Sequence, residues 1–204
     1  MTEYTDREVE FLPTSAWAVL RFLEDVRLPG GRWLEPCVGG GAIVHAVNSV
    51  RDDVEWVTVD IKPRPEFPPD YVGDYTKLAE QLGRFDVAIF NPPFTKAMEF
   101  VLKAFRYSKH VCMFQRLNWI ANGRRAEWLR PNMPGLHILP NRPGHLAESG
   151  KTDMQEYAWF AWPRQHDETH ILSTTDVKVR RRDRILATSS QATSDTRQLE
   201  MFRG

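Results

Sequence analysis

The sequence predicts an α/β fold with a largely parallel sheet, and three observations support this prediction. Short β-rich segments alternate with segments of helical periodicity along most of the 204 residues. A glycine-rich turn connects the first predicted strand to the helix that follows it. Hydrophobic residues make up 42% of the chain, which suits one domain with a well-buried core.

The predicted elements follow one another with turn residues between them. Apolar side chains at helical spacing predict a first helix over residues 12–26, which Pro29-Gly30-Gly31 ends. Further helices are predicted over residues 39–50, 76–82, 96–107 and 122–130. Strands are predicted over residues 32–36, 54–61, 85–90, 110–115, 136–139 and 157–162. The last strand, YAWFAW, is predicted to be buried on both faces, and the polar composition from residue 188 onward predicts a disordered tail.

Composition narrows the classes of protein to consider. No apolar run reaches the roughly 18 residues that a membrane helix needs, and the start lacks the pattern of a secretory signal. The two cysteines form neither a disulfide framework nor a metal motif, so a cytoplasmic location in a bacterial or phage-infected cell is expected. The six histidines are scattered, so no metal site is predicted. Cys37 is expected to be a packed thiol rather than a nucleophile, because no base adjoins it in the motif.

The charge is balanced in total but unevenly distributed. The chain has 27 basic and 27 acidic residues. Residues 1–101 hold 10 Lys and Arg against 17 Asp and Glu, a net charge of −7, and residues 102–204 hold 17 against 10, a net charge of +7. A formal charge of zero therefore does not exclude a nucleic-acid partner.

The turn Glu35-Pro36-Cys37-Val38-Gly39-Gly40-Gly41 has the composition of a cofactor-binding loop. Glycine permits a tight turn and the close approach of a ligand to the backbone. Asp60, at the end of the next predicted strand, lies 19 residues beyond Gly41, a spacing at which a carboxylate can bind both hydroxyls of a ribose. This pattern predicts a nucleoside-type cofactor and leaves open whether it is NAD or another adenosine cofactor.

A second motif, Asn91-Pro92-Pro93-Phe94, follows the apolar strand at residues 85–90. The two prolines stiffen the loop, so that it can aim the Asn91 side-chain oxygen and the Pro92 carbonyl at one amino nitrogen. Accepting both amino protons directs the nitrogen lone pair outward, towards an electrophilic methyl group. Phe94 offers a flat apolar face on which a base extruded from a duplex can stack.

Together these motifs resemble S-adenosylmethionine-dependent amino-methyltransferases, specifically the small adenine-N6 DNA methyltransferases of phages and prophages, some of which serve restriction-modification systems. The resemblance spans roughly residues 11–162. It implies a Rossmann-like class I methyltransferase fold, a mostly parallel sheet with one antiparallel strand, which residues 157–162 would supply. It also implies S-adenosyl-L-methionine as cofactor, with its binding residues at Pro13, Thr14, Glu35, Pro36, Gly39, Gly41, Asp60, Ile61, Asp74 and Tyr75.

Among these positions the resemblance gives particular roles. Pro13 and Thr14 fall in the segment that holds the methionine end of the cofactor, and Asp74 falls on the acid that contacts its adenine amino group. Two features depart from the pattern. Phe94 stands where tyrosine is frequent, and little of the chain is left for a separate target-recognition domain.

The second half of the chain carries the candidate contacts to partners. Residues 116–150 are predicted to be a target-binding insertion in a catalytic domain of residues 1–165, and a basic tail over residues 166–204 follows. Phosphate contacts are predicted for Arg116, Arg124, Arg125 and Arg142, although a solvated helix face has the same pattern. In the tail, a docking peptide for the sliding clamp is predicted at Gln198, Leu199, Met201 and Phe202.

These observations predict an enzyme that methylates the N6 amino group of adenine in DNA. Three alternatives keep the same chemistry on another acceptor: adenine in RNA, the N4 amino group of cytosine, or the amide of a protein glutamine. A fourth is a catalytically silent methyltransferase fold that binds DNA or the clamp, and the intact motif at residues 91–94 argues against it. No membrane partner is expected.

Overall fold

The structure, a computed structural model, describes residues 14–140, 155–163 and 170–172. Its helices are α1 (Ala16–Asp25), α2 (Ala42–Asn48), α3 (Tyr75–Leu78), α4 (Ala97–Tyr107) and α5 (Gly123–Leu129). Its strands are β1 (Gly31–Glu35), β2 (Val54–Asp60), β3 (Tyr71–Val72), β4 (Phe85–Phe90), β5 (Ser108–Arg116), β6 (Gly135–Ile138), β7 (Tyr157–Trp162) and β8 (His170–Ile171). A 3₁₀ turn, Leu117–Trp119, follows β5.

Within the described residues the strands form one sheet in the order β3-β2-β1-β4-β5-β7-β6-β8. The pairs from β3 through β5 are parallel. Strand β7 runs antiparallel to both of its neighbours, and β8 is parallel to β6. The prediction of a mostly parallel sheet with one antiparallel strand is confirmed, and residues 157–162 form that strand.

Apolar side chains cover both faces of the sheet, because successive side chains along its central strands point alternately into two cores. From β4, Val87 and Ile89 face the core covered by α1 and α2, whereas Ala88 and Phe90 face the core covered by α3, α4 and α5. All six residues of β7 are buried, as predicted. Trp159 on that strand also donates its indole N–H to the carbonyl of Ala18 in α1 at 2.9 Å.

The order of the strands brings the two sequence motifs together. Strand β1 lies between β2 and β4, so the carboxyl ends of all three meet at one edge of the sheet. Strands β2 and β3, which follow β1 in the sequence, extend the sheet on one side of β1. Strand β4 pairs with the other side of β1 and begins the second half of the sheet. Ligands of open α/β sheets bind at such a point of reversal. The segments that follow these three strands are the glycine turn, Asp60 with Ile61, and Asn91-Pro92-Pro93-Phe94.

The boundaries of several elements differ from the predictions. Helix α2 begins at Ala42 rather than at residue 39, because Gly39 and Gly41 have positive φ and belong to the turn. Helix α3 is one turn long, and strand β5 extends further at both ends than predicted. The two-residue strands β3 and β8 were not predicted. The start of the first predicted helix and the predicted tail lie outside the described residues. Within the described residues, no helix is both long and apolar enough to cross a membrane.

Candidate active site

The glycine turn between β1 and α2 is the first part of the candidate site. Gly39 and Gly41 have φ values of 52° and 76°, in the left-handed region that side chains with a Cβ disfavour. A Cβ on Gly41 would clash with the ring of Phe67. Position 41 therefore requires glycine both for its backbone conformation and for the close approach of the Phe67 ring.

Asp60 lies against this turn at the end of β2. Its Oδ2 accepts a hydrogen bond from the Gly39 N–H at 2.7 Å, and its Oδ1 accepts one from the Lys62 N–H at 2.9 Å. These two backbone donors fix the orientation of the carboxylate. Ile61 follows Asp60 with 41% of its surface exposed, so an apolar surface stands next to the acid.

Glu35, the last residue of β1, is a buried carboxyl group with an unsatisfied oxygen. It is 2% exposed, and its Oε2 has no hydrogen-bond partner. Burial, and after it the charge of Asp60, raises the pKa of Glu35 well above its ordinary value, against the effect of a hydrogen bond from the Val44 backbone. An orphaned acceptor here suits a ligand that donates a hydrogen bond. Pro36 beside it is also buried.

Cys37 joins the glycine turn to the second motif. Its Sγ donates a hydrogen bond to the Asn91 carbonyl at 3.4 Å. Burial, followed by the charges of Glu35 and Asp60, raises the pKa of the Cys37 thiol well above its ordinary value. The thiol therefore stays protonated and acts as a packed donor between the two loops, not as a nucleophile.

The Asn91-Pro92-Pro93-Phe94 loop leaves the carboxyl end of β4. The Asn91 amide donates through Nδ2 to the hydroxyl oxygen of Thr14 at 3.1 Å, which orients the plane of the amide; the acceptor atom of this side chain is Oδ1. Pro92 is buried, and the Pro93 carbonyl accepts a hydrogen bond from the Lys96 N–H at 2.9 Å. Thr14, predicted to bind the cofactor, thus contacts the Asn91-Pro92-Pro93-Phe94 motif in this structure.

Asp74 lies before α3 and caps it. Its Oδ1 accepts hydrogen bonds from the Thr76 N–H at 3.0 Å and the Thr76 hydroxyl at 2.7 Å, and its Oδ2 lies 3.4 Å from Nζ of Lys96. Burial acts to raise the pKa of Asp74, but the hydrogen bonds from Thr76 and the charge of Lys96 outweigh it and hold the pKa below its ordinary value. Asp74 is therefore ionised and acts as an acceptor.

Tyr75, the next residue, is directed into the core. It is 1% exposed and packs against Phe100, with the ring centroids 5.3 Å apart. Its hydroxyl is buried without a hydrogen-bond partner, and burial raises its pKa.

Phe94 lies between an arginine and a buried tyrosine. Cζ of Arg116 lies over the Phe94 ring at 3.7 Å from its centroid. The Tyr157 ring is 6.4 Å away and tilted by 45°. Since Arg116 ends β5 and Tyr157 begins β7, two neighbouring strands contribute to the surroundings of Phe94.

The predicted phosphate-binding arginines differ in their surroundings. Arg124 is exposed at the start of α5. Arg125 donates to the Trp119 carbonyl and lies over the Trp119 ring at 4.9 Å, so its guanidinium also contacts the local structure. The guanidinium of Arg116 lies over the Phe94 ring. Pro13, Arg142 and the predicted clamp peptide lie outside the described residues.

Three residues of the site were not predicted from the sequence. Lys96 contacts Asp74, Phe67 packs on Gly41, and Tyr157 adjoins Phe94. For Lys96 the nearness to the motif was a usable indication, because it is the second residue after Phe94. Phe67 lies in the proline-rich segment, where no periodicity identifies an inward-facing side chain. Among the residues that the structure describes, no group of three His, Cys, Asp or Glu side chains is arranged to hold a metal ion.

Comparison with known proteins gives structural but no sequence relatives. The sequence matches no protein-family model and no curated protein. A proposed RNA methyltransferase from Pyrococcus horikoshii has a TM-score of 0.53 at 18% identity, over 72% of this chain and 81% of that one. A proposed class I S-adenosylmethionine-dependent methyltransferase from Listeria monocytogenes has a TM-score of 0.51 at 15% identity, over 84% and 67%.

A third solved structure is the modification subunit of a proposed type I restriction enzyme from Vibrio vulnificus. Its TM-score is 0.51 at 14% identity, over 76% of this chain, which spans 45% of that subunit. At such identities the likeness shows the fold alone. The described residues thus have the Rossmann-like fold of class I methyltransferases, as predicted.

Proposed function

We propose that this protein is an S-adenosylmethionine-dependent methyltransferase that methylates the N6 amino group of adenine in DNA. The observation that carries the proposal is the hydrogen bond from Cys37 in the glycine turn to the Asn91 carbonyl. Because of this contact the predicted cofactor loop and the predicted amine-binding loop lie side by side. Methyl transfer needs donor and acceptor in such proximity, since positioning lowers much of the barrier.

The residues around the glycine turn suit S-adenosylmethionine. The orphaned Oε2 of Glu35 is an acceptor for the amino group of the methionine part, and Asp60 is an acceptor for ribose hydroxyls. Gly39 and Gly41 allow the ligand to approach the backbone. Asp74 is an ionised acceptor for the adenine amino group. When bound, the cofactor supplies a methyl group on a sulfonium centre.

Asn91, Pro92 and Phe94 orient the acceptor amine in this proposal. The Asn91 Oδ1 and the Pro92 carbonyl accept the two amino protons, so that the nitrogen lone pair points away from them. Thr14 keeps the Asn91 amide in the required orientation through the bond to Nδ2. Phe94 supplies the stacking surface for the target ring.

DNA is proposed as the polymer because of the charge distribution and the motif together. The acidic half of the sequence contains the glycine turn, Asp60 and Asp74, whose proposed partners are neutral hydroxyl and amino groups. The basic half begins just after the Asn91–Phe94 motif, and Arg124 within it is exposed. Lys and Arg side chains next to a base pocket are suited to phosphates of the target strand.

A methyl-transfer assay tests this function. The protein is incubated with methyl-labelled cofactor and, separately, with unmethylated DNA, with RNA and with a glutamine-containing protein substrate. We expect label in DNA, on the N6 nitrogen of adenine. Asn91→Ala should lower transfer by about 100-fold or more, because it removes a preorganised hydrogen bond at the reacting nitrogen, while cofactor affinity changes little.

Label that appears only in the protein substrate would overturn the DNA assignment, and unreduced activity of Asn91→Ala would overturn the site. Sequencing of host DNA that has been exposed to the protein would then identify the modified base and its sequence context.

The remaining partner predictions extend this proposal. Residues 116–150, with Arg142, are proposed to contact the target strand, and residues 166–204 to form a basic tail. The peptide Gln198–Phe202 has the glutamine and the apolar anchors of a clamp-docking segment. Deletion of these five residues with unchanged binding to a sliding clamp would exclude that role.

A further inference from the structure

One face of the Phe94 ring is covered by the guanidinium of Arg116. Cζ of the guanidinium lies 3.7 Å from the centroid of the ring. Non-bonded carbon atoms are in contact at about 3.5–4.0 Å, so no ring fits between the two groups. A base that stacks on this face of Phe94 has to displace the guanidinium.

The rest of the Phe94 ring is supported by the protein. Phe94 is half-buried and packs against the core on the α1 side of the sheet, where Tyr157 is its aromatic neighbour. Thr14, which precedes α1, contacts Asn91 on the adjoining loop. The ring therefore contacts both the core and the side chain of Arg116.

The backbone of Arg116 is held by the sheet. Arg116 is the last residue of β5 and pairs in register with Tyr157. Its N–H donates to the side-chain oxygen of Gln115 at 2.9 Å, and Gln115 is 1% exposed. A change of the Arg116 side-chain rotamer therefore leaves this pairing of the sheet unchanged.

The chemistry of the guanidinium favours exchange with a nucleobase. It is flat, delocalised and weakly hydrated, so it stacks on an aromatic ring and is released without a large change in hydration. A nucleobase that enters forms its own stacking contact with Phe94 in place of the contact with the guanidinium. The amide of a glutamine side chain is too small to do so and would leave the attraction between Arg116 and Phe94 uncompensated.

We propose that Arg116 holds the stacking face of Phe94 in the free protein and yields it to the target base, so that the pocket selects a flat nucleobase over a glutamine side chain. This inference rests on the proposed function, which assigns Phe94 as the stacking surface. It gives Arg116 a place in the base pocket rather than on the phosphate backbone.

Kinetics of two variants and a control test the proposal. Arg116→Ala should lower the KM for DNA by roughly threefold to tenfold, because base entry no longer competes with a cation–π contact. Arg116→Lys keeps the charge but loses the plane and should behave like Arg116→Ala. The control Arg124→Ala removes an exposed arginine and should raise KM and reduce the slope of log affinity against log salt by about one.

If Arg116 instead binds phosphate, Arg116→Ala will raise KM and reduce the salt slope, and Arg116→Lys will resemble the wild type. If Arg116 merely supports the Phe94 ring, kcat will fall in both variants without a lower KM. Either result would overturn the proposal.

An NMR measurement follows the displacement directly. The Nε–H of Arg116 should have an upfield shift from the Phe94 ring current, which Phe94→Leu removes. Saturation with the polymer that accepts label in the transfer assay, in the presence of S-adenosylhomocysteine to prevent turnover, should abolish that shift. A shift that persists in the complex would contradict the inference alone. Absence of label in any nucleic acid would already have rejected the proposed function in the transfer assay, and this inference with it.

Discussion

At the scale of single residues, the glycine turn contains two neighbouring positions that differ in what they tolerate. Gly41 has a φ of 76°, and a Cβ there would meet the ring of Phe67. Gly40 has no positive φ, and the nearest atom to a Cβ there would be Oε1 of Glu66 at 3.8 Å, an ordinary contact distance. The sequence shows three equivalent glycines, but the structure makes only some of them necessary.

Gly41→Ala should therefore lower the free energy of unfolding by about 1–3 kcal/mol, because alanine is strained at this φ and Phe67 must move. Gly40→Ala is the matched control and should change the free energy of unfolding by less than about 1 kcal/mol. Urea unfolding followed by circular dichroism measures both. Equal effects of the two substitutions would contradict the requirement for glycine at position 41.

Glu35 makes the stability of the free protein depend on pH. Its pKa is raised well above the ordinary value of 4.5, so the folded state binds its proton more tightly than the unfolded state does. The stabilising contribution of the protonated form is complete below the unfolded-state pKa and is lost as pH rises towards the folded-state pKa. Within that window the loss amounts to about 1.4 kcal/mol per pH unit.

Glu35→Gln removes this titration because glutamine does not ionise. Its free energy of unfolding relative to the wild type should increase as pH rises above about 4.5, until the folded-state pKa is reached. Urea unfolding at several pH values from 5 to 8, with both proteins free of cofactor, measures the difference. A constant difference across this range would show that Glu35 does not titrate in the way its burial requires.

At the scale of elements, a helix or strand could be predicted from the sequence when it was long enough and apolar enough to show a pattern. Strand β4 has the predicted bounds because an apolar hexapeptide is followed by Asn-Pro-Pro, which cannot continue a regular element. The two-residue strand β3 has exposed side chains and follows a proline-rich segment, so no periodicity identifies it. Its position is set by backbone pairing with the end of β2, a contact that the sequence does not encode locally.

The candidate site likewise has features that could be predicted from the sequence and features that could not. The proximity of the glycine turn to the Asn91 loop could be predicted, because the carboxyl ends of adjacent parallel strands meet at one edge of the sheet. The stack of Arg116 on Phe94 could not, because it depends on side-chain rotamers and on the pairing of β5 with β7. The basic composition of that region predicts a phosphate contact for Arg116, whereas our proposal, based on its contact with Phe94, assigns it to the base pocket.

At the scale of the whole molecule, a zero net charge results from two opposed halves of the sequence. The half with a net charge of −7 contains both predicted motifs, and the half with a net charge of +7 follows them. If the cofactor occupies the turn, it binds only the folded chain, because Gly39, Asp60 and Glu35 come together through pairing of β1 with β2. Cofactor binding and folding are therefore thermodynamically linked.

This linkage predicts a rise in melting temperature with S-adenosylmethionine or S-adenosylhomocysteine. At a concentration 100 times the dissociation constant, the stabilisation is about 2.7 kcal/mol, which for a chain of this size corresponds to roughly 5–10 °C. Asp60→Ala should lose most of the rise, because it removes the proposed acceptor for the ribose hydroxyls. Asn91→Ala, which alters the amine-binding loop, should keep most of it. Differential scanning fluorimetry measures all three proteins. An unchanged melting temperature of the wild type at millimolar ligand would contradict the cofactor assignment, and an equal rise in Asp60→Ala would contradict the role of that carboxylate.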